Sequence, residues 1–172
     1  QGIDIMVAAT KDAAWPAELQ LVVVGDGTEK PLLRDEPRIV SLGRLPSQEA
    51  ARWYAHAYCA ISMKKGTGSV GAHGYWPFKL IESAAVGVPI VCSDARGMKE
   101  AGERLGNAVI VRDGDSHACA SAVRSLVEDQ TARNRLATAG LVAVREYDWS
   151  AGARQLGNAL DLAARSRRGR SR

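Results

Sequence analysis

The sequence predicts an α/β protein built on an open, doubly wound parallel sheet. Short apolar runs that end at glycine alternate with segments of helical periodicity. Their spacing is that of βαβ units. One run, Val88-Pro-Ile-Val-Cys92, is continuous, as in strands covered on both faces of a parallel sheet. Gly25-Asp26-Gly27, Gly43-Arg44 and the stretch 64–78 each follow a strand-like run. That places all three at the carboxyl edge, where such sheets bind ligands.

In chain order, Ile3, Ile5, Met6 and Ala9 give the first helix its apolar stripe over 2–9. Gln20–Val24 reads as a buried strand ending at Gly25, and 28–34 as a short weak helix or loop. A second strand runs from Arg38 and ends at Gly43. Ser47 is placed to cap a helix reaching about Ala57. Trp53, Tyr54 and Tyr58 on or near that helix are expected in core or domain packing. Cys59–Met63 is the third strand, and 64–76 a glycine-rich loop. Pro77 suits the first position of the next helix, where a missing N–H costs nothing. Leu80, Ile81, Ala84 and Ala85 form its apolar face, and Gly87 stops it before the strand 88–92. A helix over 98–104, a strand over 108–111 and a helix to Glu128 capped by Asp115 follow. Two final helices span about 131–146 and 150–164. Neither an internal repeat nor a long linker appears.

Length and composition frame these elements. The 172 residues suit one domain of ordinary size. The chain is 46% hydrophobic and 24% charged, as soluble globular proteins are. It contains neither a membrane-spanning apolar run nor a basic-then-apolar leader, so a cytoplasmic location is expected. Cys59, Cys92 and Cys119 are odd in number and far apart, which favours buried free thiols over disulfides or a metal site. Three scattered histidines, His56, His73 and His117, make no metal-ligand spacing. The net charge of +4 is concentrated at one end, since 165–172 holds five arginines and no acid. Removing those five charges leaves −1 for residues 1–164. We therefore expect a domain over 1–164 and a basic disordered tail over 165–172. Such a tail fits peripheral contact with an anionic membrane surface as well as plain solubilisation. The body does not interleave basic and aromatic residues, which argues against a nucleic-acid partner.

The chemistry centres on the helix after Pro77. A helix start offers unpaired N–H groups and the positive end of the helix dipole, and so receives anions. Lys79 adds a cation in the same turn, and Glu82 lies one turn along the same face. Amides and a cation beside a carboxylate suit a phosphate next to vicinal hydroxyls, as in a nucleotide diphosphate with its ribose. The same two residues would equally make a surface ion pair on an ordinary βαβ helix. Gly66-Thr-Gly-Ser-Val-Gly71 lacks the Gly-Lys-Ser/Thr ending of a P-loop, and no Gly-x-Gly-x-x-Gly follows the first strand.

Five segments then carry a resemblance. They are Val23-Val-Gly-Asp-Gly27, Ser41-Leu-Gly-Arg-Leu-Pro-Ser-Gln-Glu49, Pro77-Phe-Lys-Leu-Ile-Glu-Ser-Ala-Ala-Val-Gly-Val-Pro-Ile-Val91, Val111-Arg-Asp-Gly-Asp115 and Tyr147-Asp-Trp-Ser150. In this order they resemble the C-terminal, nucleotide-sugar-binding domain of retaining GT-B glycosyltransferases (group 1, glycogen-synthase-like), over about 2–160. The resemblance implies a Rossmann-like half of a two-domain enzyme. It implies that Glu82 holds the donor ribose and that the Phe78 and Lys79 amides meet the diphosphate. The Lys79 side chain assists, as in a Pro-x-Lys-x-x-Glu variant. Arg44 and Leu45 lie against the base, while Gly25 and Asp26 line the neighbouring strand end. No metal or other cofactor is implied; the nucleotide-diphosphate sugar is the substrate.

Two departures qualify this. The family's Glu-x7-Glu motif places an acid eight residues before Glu82, and Gly74 stands there, so contacts to the sugar are altered. The segment Gln1-Gly-Ile-Asp-Ile5 matches a family Lys-Gly-hydrophobic-Asp stretch with Gln1 in place of the lysine. The strand before it, a phosphate-binding arginine and the N-terminal acceptor-binding domain are not in this sequence. The resemblance thus implies an N-terminally truncated donor-binding domain, inactive by itself. A non-catalytic Rossmann-like nucleotide-binding or interaction module is the alternative from the residues alone.

Overall fold

Glycine turns and helix caps break the chain where the periodicity predicts. The computed structural model describes residues 2–64 and 78–169, the side chains of residues 155 and 162–169 aside. The elements are α1 (Ile3–Lys11), β1 (Leu21–Val24), a 3-10 turn (Lys30–Leu33), β2 (Ile39–Gly43), α2 (Ser47–Ala55) and β3 (Ala60–Ser62). After them come α3 (Phe78–Ala85), β4 (Ile90–Ser93), α4 (Met98–Leu105), β5 (Ala108–Val111), α5 (Ser116–Glu128) and α6 (Gln130–Ala143). A second 3-10 turn (Val144–Tyr147) leads into α7 (Trp149–Gly169).

All strand pairings are parallel, but they form two sheets, β1–β2 and β3–β4–β5. β4 shows why the second sheet is buried on both sides. Val91 packs into a cluster with Ile5, Met6 and Ala9 of α1 and Cys119, Val123 and Leu126 of α5. Ile90 and Cys92 face the other way, against Leu80 and Ala84 of α3 and Met98 and Leu105 of α4. Alternate residues of a strand point to opposite faces. A fully apolar strand therefore needs helices on both, as the continuous run predicts. The two sheets share the α1–α5 layer, since Leu21 of β1 and Ile61 of β3 both pack on it.

Local chemistry closes the elements. Asp115 and Asp129 accept from the amides of Ala118 and Ala132 and cap α5 and α6. Gly87 ends α3 at φ +69°, a left-handed conformation that glycine adopts freely. The α5 residue Arg124 donates to the carbonyls of Ala13 and Ala14 and fixes the turn after α1. All three cysteines are free, and burial pushes the thiols of Cys92 and Cys119 up to about 12.

The structure corrects several expectations. Ser47 is the first residue of α2, not its cap: Pro46 takes that position, and its carbonyl accepts from both Glu49 and Ala50. The buried side of α3 holds Ser83 with Leu80 and Ala84, while Ala85 is exposed. Ser83 is tolerated there because its hydroxyl donates to the Val88 carbonyl. Trp53 and Tyr58 are 43% and 52% exposed, and α2 buries none of its residues, so neither aromatic is core. The stretch 131–146 ends as a 3-10 turn rather than one helix. Apart from these, α7 runs to Gly169. Arginine is a good helix former, and neither proline nor glycine interrupts 158–168.

Candidate functional site

The β3–α3–β4 unit positions the first group of candidate residues. A helix that returns a chain between parallel strands begins at their carboxyl edge, and Phe78 is the first residue of α3. Leu80 and Ala84 are fully buried and clamp the helix against β4 and α4. Phe78, Lys79 and Glu82 are exposed on the other side, with Phe78 at 67%. Among the described residues no ion pair joins Lys79 to Glu82. The cation and the carboxylate are thus both presented to solvent at a helix start, beside the amides a first turn cannot pair internally.

The second group lies on the loops after β1 and β2. Gly25 donates its amide to the Gly43 carbonyl at 2.7 Å, which brings the two strand ends together. Gly43 then turns at φ +67° and sends Arg44 toward β1, where Nη2 lies 3.3 Å from Asp26 Oδ1. The two side chains are 81% and 52% exposed. Such a surface pair holds little energy and exchanges partners readily. Leu45 beside it is half-buried. The structure therefore joins Arg44 to Asp26 and sets Phe78, Lys79 and Glu82 on one helix, both groups at carboxyl strand ends. The first group follows the β3–β4–β5 sheet and the second the β1–β2 pair. Gly74, Pro77, His73 and the 66–71 glycine run lie outside the described residues.

Sequence reasoning missed what surrounds these groups. Burial, with the Glu82 charge second, pushes the Tyr54 hydroxyl up to about 12, so this α2 side chain lies near Glu82 as a neutral phenol. The pair is separated by 28 positions, and no local pattern links them. Ser93, fully buried, accepts the Lys64 amide at 3.1 Å and anchors the chain leaving β3. Asp94 accepts the Asp113 amide at 2.8 Å and ties the end of β4 to the loop after β5. Glu100 accepts from the Gly97 amide and closes the start of α4. Backbone hydrogen bonds hold its carboxyl below the usual range. Asp94 and Glu100 thus brace the edge. Among the described residues, no group of three or more His, Cys, Asp or Glu is arranged to hold a metal.

Residues 1–129 match the family described as glycosyl transferases group 1. This chain belongs to that family. Among curated relatives, the phosphatidyl-myo-inositol mannosyltransferase of Mycobacterium leprae (strain TN) is 32% identical over 155 residues. The protein of the same name from Mycobacterium tuberculosis H37Rv is 31% identical over 160. Each match covers 87% of this chain but only 39% and 40% of the relative, so the chain spans about two fifths of their length. Among solved structures, HepE of Anabaena in complex with UDP superposes with a TM-score of 0.76 at 20% identity, covering 93% of this chain and 45% of that one. Sucrose-phosphate synthase of Thermosynechococcus elongatus gives 0.77 at 20% identity, covering 96% and 43%. At that identity the likeness speaks for the fold: this group 1 glycosyltransferase domain is an α/β, Rossmann-like half of the GT-B type.

Proposed function

We propose that this domain holds the nucleotide-diphosphate sugar donor of a retaining glycosyltransferase at the start of α3. One observation carries the reading: Phe78, Lys79 and Glu82 are displayed together at the carboxyl edge while Leu80 and Ala84 lock the helix beneath them. In this reading the Phe78 and Lys79 amides and the Lys79 ammonium receive the diphosphate. The Glu82 carboxylate accepts the ribose hydroxyls, with Tyr54 alongside. Arg44 and Leu45 flank the base, with Gly25 and Asp26 at the adjoining strand end, and Gly74 stands in the sequence where the family's motif has an acid. Charge developing on the leaving diphosphate is met by amides and the cation, an arrangement that needs no metal.

Titration calorimetry with UDP, GDP and ADP tests this. One nucleotide is expected to bind saturably. Loss of a hydrogen bond to a charged group is worth about 1.5–3 kcal/mol, so Glu82→Ala weakens binding about 10–150-fold. Lys79→Ala weakens it less and flattens its salt dependence. Absence of saturable binding to any of the three nucleotides would overturn the reading.

The acceptor belongs to an N-terminal domain of the full protein, which the longer relatives support. Each missing oxyanion donor costs about 10²–10³ in rate, so the 172-residue chain alone is expected to turn over no donor. Glycosyl transfer by the isolated chain would refute that.

The relatives' named acceptor is a phosphatidyl lipid, and we place the full enzyme in the cytoplasm against an anionic membrane surface. Among the described residues no helix is long and apolar enough to cross a membrane. However, Trp149, Leu156 and Leu160 are 93%, 61% and 61% exposed on α7, and their spacing puts them on one face. Five arginines follow over 165–172. A helix with that apolar face and basic end suits the headgroup boundary. Cosedimentation with vesicles containing phosphatidylinositol is expected, with loss on Trp149→Ser/Leu156→Ser/Leu160→Ser. Equal binding to neutral vesicles, or no change in the triple variant, would count against it.

A further inference from the structure

We infer that Ser93 is a positioning residue for the donor site: its hydroxyl fixes where the backbone leaves β3, beside the start of α3. The inference rests on the reading of that edge as the place where the donor binds. Ser93 ends β4 and has no exposed surface. The three residues before it, Ile90, Val91 and Cys92, are just as buried and apolar. A hydroxyl withdrawn from water among them costs free energy unless it finds partners. Alanine would fill this strand end without that cost, so the purpose of the hydroxyl lies in what it binds.

Its partners are concentrated on one residue. The β3–β4 ladder runs through Ser62 and Cys92 and stops there, whereas β4 goes on pairing with β5 through Ser93 and Val111. Past the end of β3, Ser93 Oγ accepts the Lys64 amide at 3.1 Å and lies 3.3 Å from the Lys64 carbonyl oxygen. Its single proton goes to that carbonyl or to the Met98 sulfur of α4, 3.7 Å away. A side chain has thus replaced the backbone as the last rung on the β3 side, and it grips both polar groups of Lys64. The chain is also held from the other side. Met63 is buried, and a Cβ added to Gly2 would lie 2.6 Å from the Met63 carbonyl oxygen. Between that wedge and the Ser93 clasp, the exit from β3 has little freedom.

The position of the exit gives this restraint a use. Lys64 stands at the carboxyl end of β3, and Ala60 of the same strand packs against the Leu80–Ala84 side of α3. A diphosphate received at the start of α3 has to fit beside that exit, so a shift of the Lys64 backbone changes the room for it. Binding groups must be held within about 0.5 Å of their working places, and supporting hydrogen bonds do this. Ser93 acts from beneath the edge; being fully buried, it does not touch the ligand.

Ser83 provides a matched control. It is the same residue, equally buried, but its hydroxyl donates to the Val88 carbonyl at the far end of α3. Titration calorimetry with UDP, GDP and ADP tests the inference on the chain and its variants, with folding checked by thermal unfolding. Ser93→Ala is expected to weaken binding of the nucleotide by about 10-fold, within the about 100-fold that misplacing a site can cost. Its Lys64 amide should also exchange faster with solvent. Ser83→Ala is expected to lower the melting temperature too, but to leave the affinity unchanged. If Ser93→Ala does not fold, Ser93→Cys decides in its place, since a thiol keeps the volume and weakens both hydrogen bonds. Parent-like affinity in the Ser93 variant, or an equal loss in Ser83→Ala, would overturn the inference. Glu82→Ala separates it from the reading beneath it. Affinity lost there but kept in the Ser93 variant strikes the positioning role alone, whereas no nucleotide binding by the parent strikes both.

Discussion

Replacing Leu80 by alanine is expected to destabilise the domain by about 3 kcal/mol, within the range for truncating a fully buried leucine. Leu80 has no exposed surface and sits in the cluster of Ala84, Ile90, Cys92, Met98 and Leu105. Its neighbours are held by β4 and α4, so the vacated space will not collapse readily. For a chain of this size the loss corresponds to a fall of about 6–12 °C in melting temperature. Urea unfolding should show a lower midpoint with an unchanged slope, because the surface exposed on unfolding hardly differs. The functional consequence follows from position. Leu80 lies between Lys79 and Glu82 in sequence but on the opposite side of α3. Phe78→Ala, which removes a side chain already 67% exposed, should leave stability within about 0.5 kcal/mol. Equal midpoints for Leu80→Ala and the unmodified chain would mean that α3 is not clamped as described.

Gly140→Val should cost about 2–3 kcal/mol through overpacking. Gly140 is where α6 presses on α3: a Cβ there would lie 2.9 Å from the Asn107 Cβ and 3.2 Å from the Ala84 Cα. The Ala84 atom is backbone, in the helix that carries Lys79 and Glu82, and has no rotamer by which to retreat. Gly140→Ala adds one carbon and gains about 1 kcal/mol of helix propensity, so its net cost should be smaller. Gly157 on α7 provides the contrast, since a Cβ there meets nothing within 4 Å. Gly157→Ala should therefore be neutral or stabilising by up to about 1 kcal/mol. Thermal unfolding of the three variants checks the order. A Gly140→Val protein as stable as the parent would show that the α3–α6 contact is looser than these distances.

The sequence was most legible where one local cause governs. The continuous apolar run at Val88–Cys92 could only be a strand covered on both faces, and every residue of β4 is buried. Asp115 and Gly87 announced a helix start and a helix stop by their own side-chain and backbone chemistry, and both act as read. Helix α2 was less legible, because its aromatic residues suit a core and a domain contact equally, and here Trp53 is exposed while Tyr54 is half-buried. Whether they are covered depends on what lies across the sheet face, which no local pattern contains. The face of α3 shifted because the Ser83 hydroxyl found the Val88 carbonyl, a contact across the turn rather than along the helix.

The candidate site divides in the same way. Pro77-Phe-Lys-Leu-Ile-Glu82 fixed by itself that a cation and a carboxylate would share one end of a helix, since helical spacing alone sets which residues are neighbours. Glycine at positions 25 and 43 likewise fixed where two strands must end. Only the tertiary structure decided that Arg44 meets Asp26, that Tyr54 stands near Glu82 as a neutral phenol, and that β1 and β2 pair apart from β3, β4 and β5. Spacing along one helix or strand is a local property of the backbone. Contacts between separate elements depend on how the strands are ordered and which faces are filled, and that is settled when the whole chain packs.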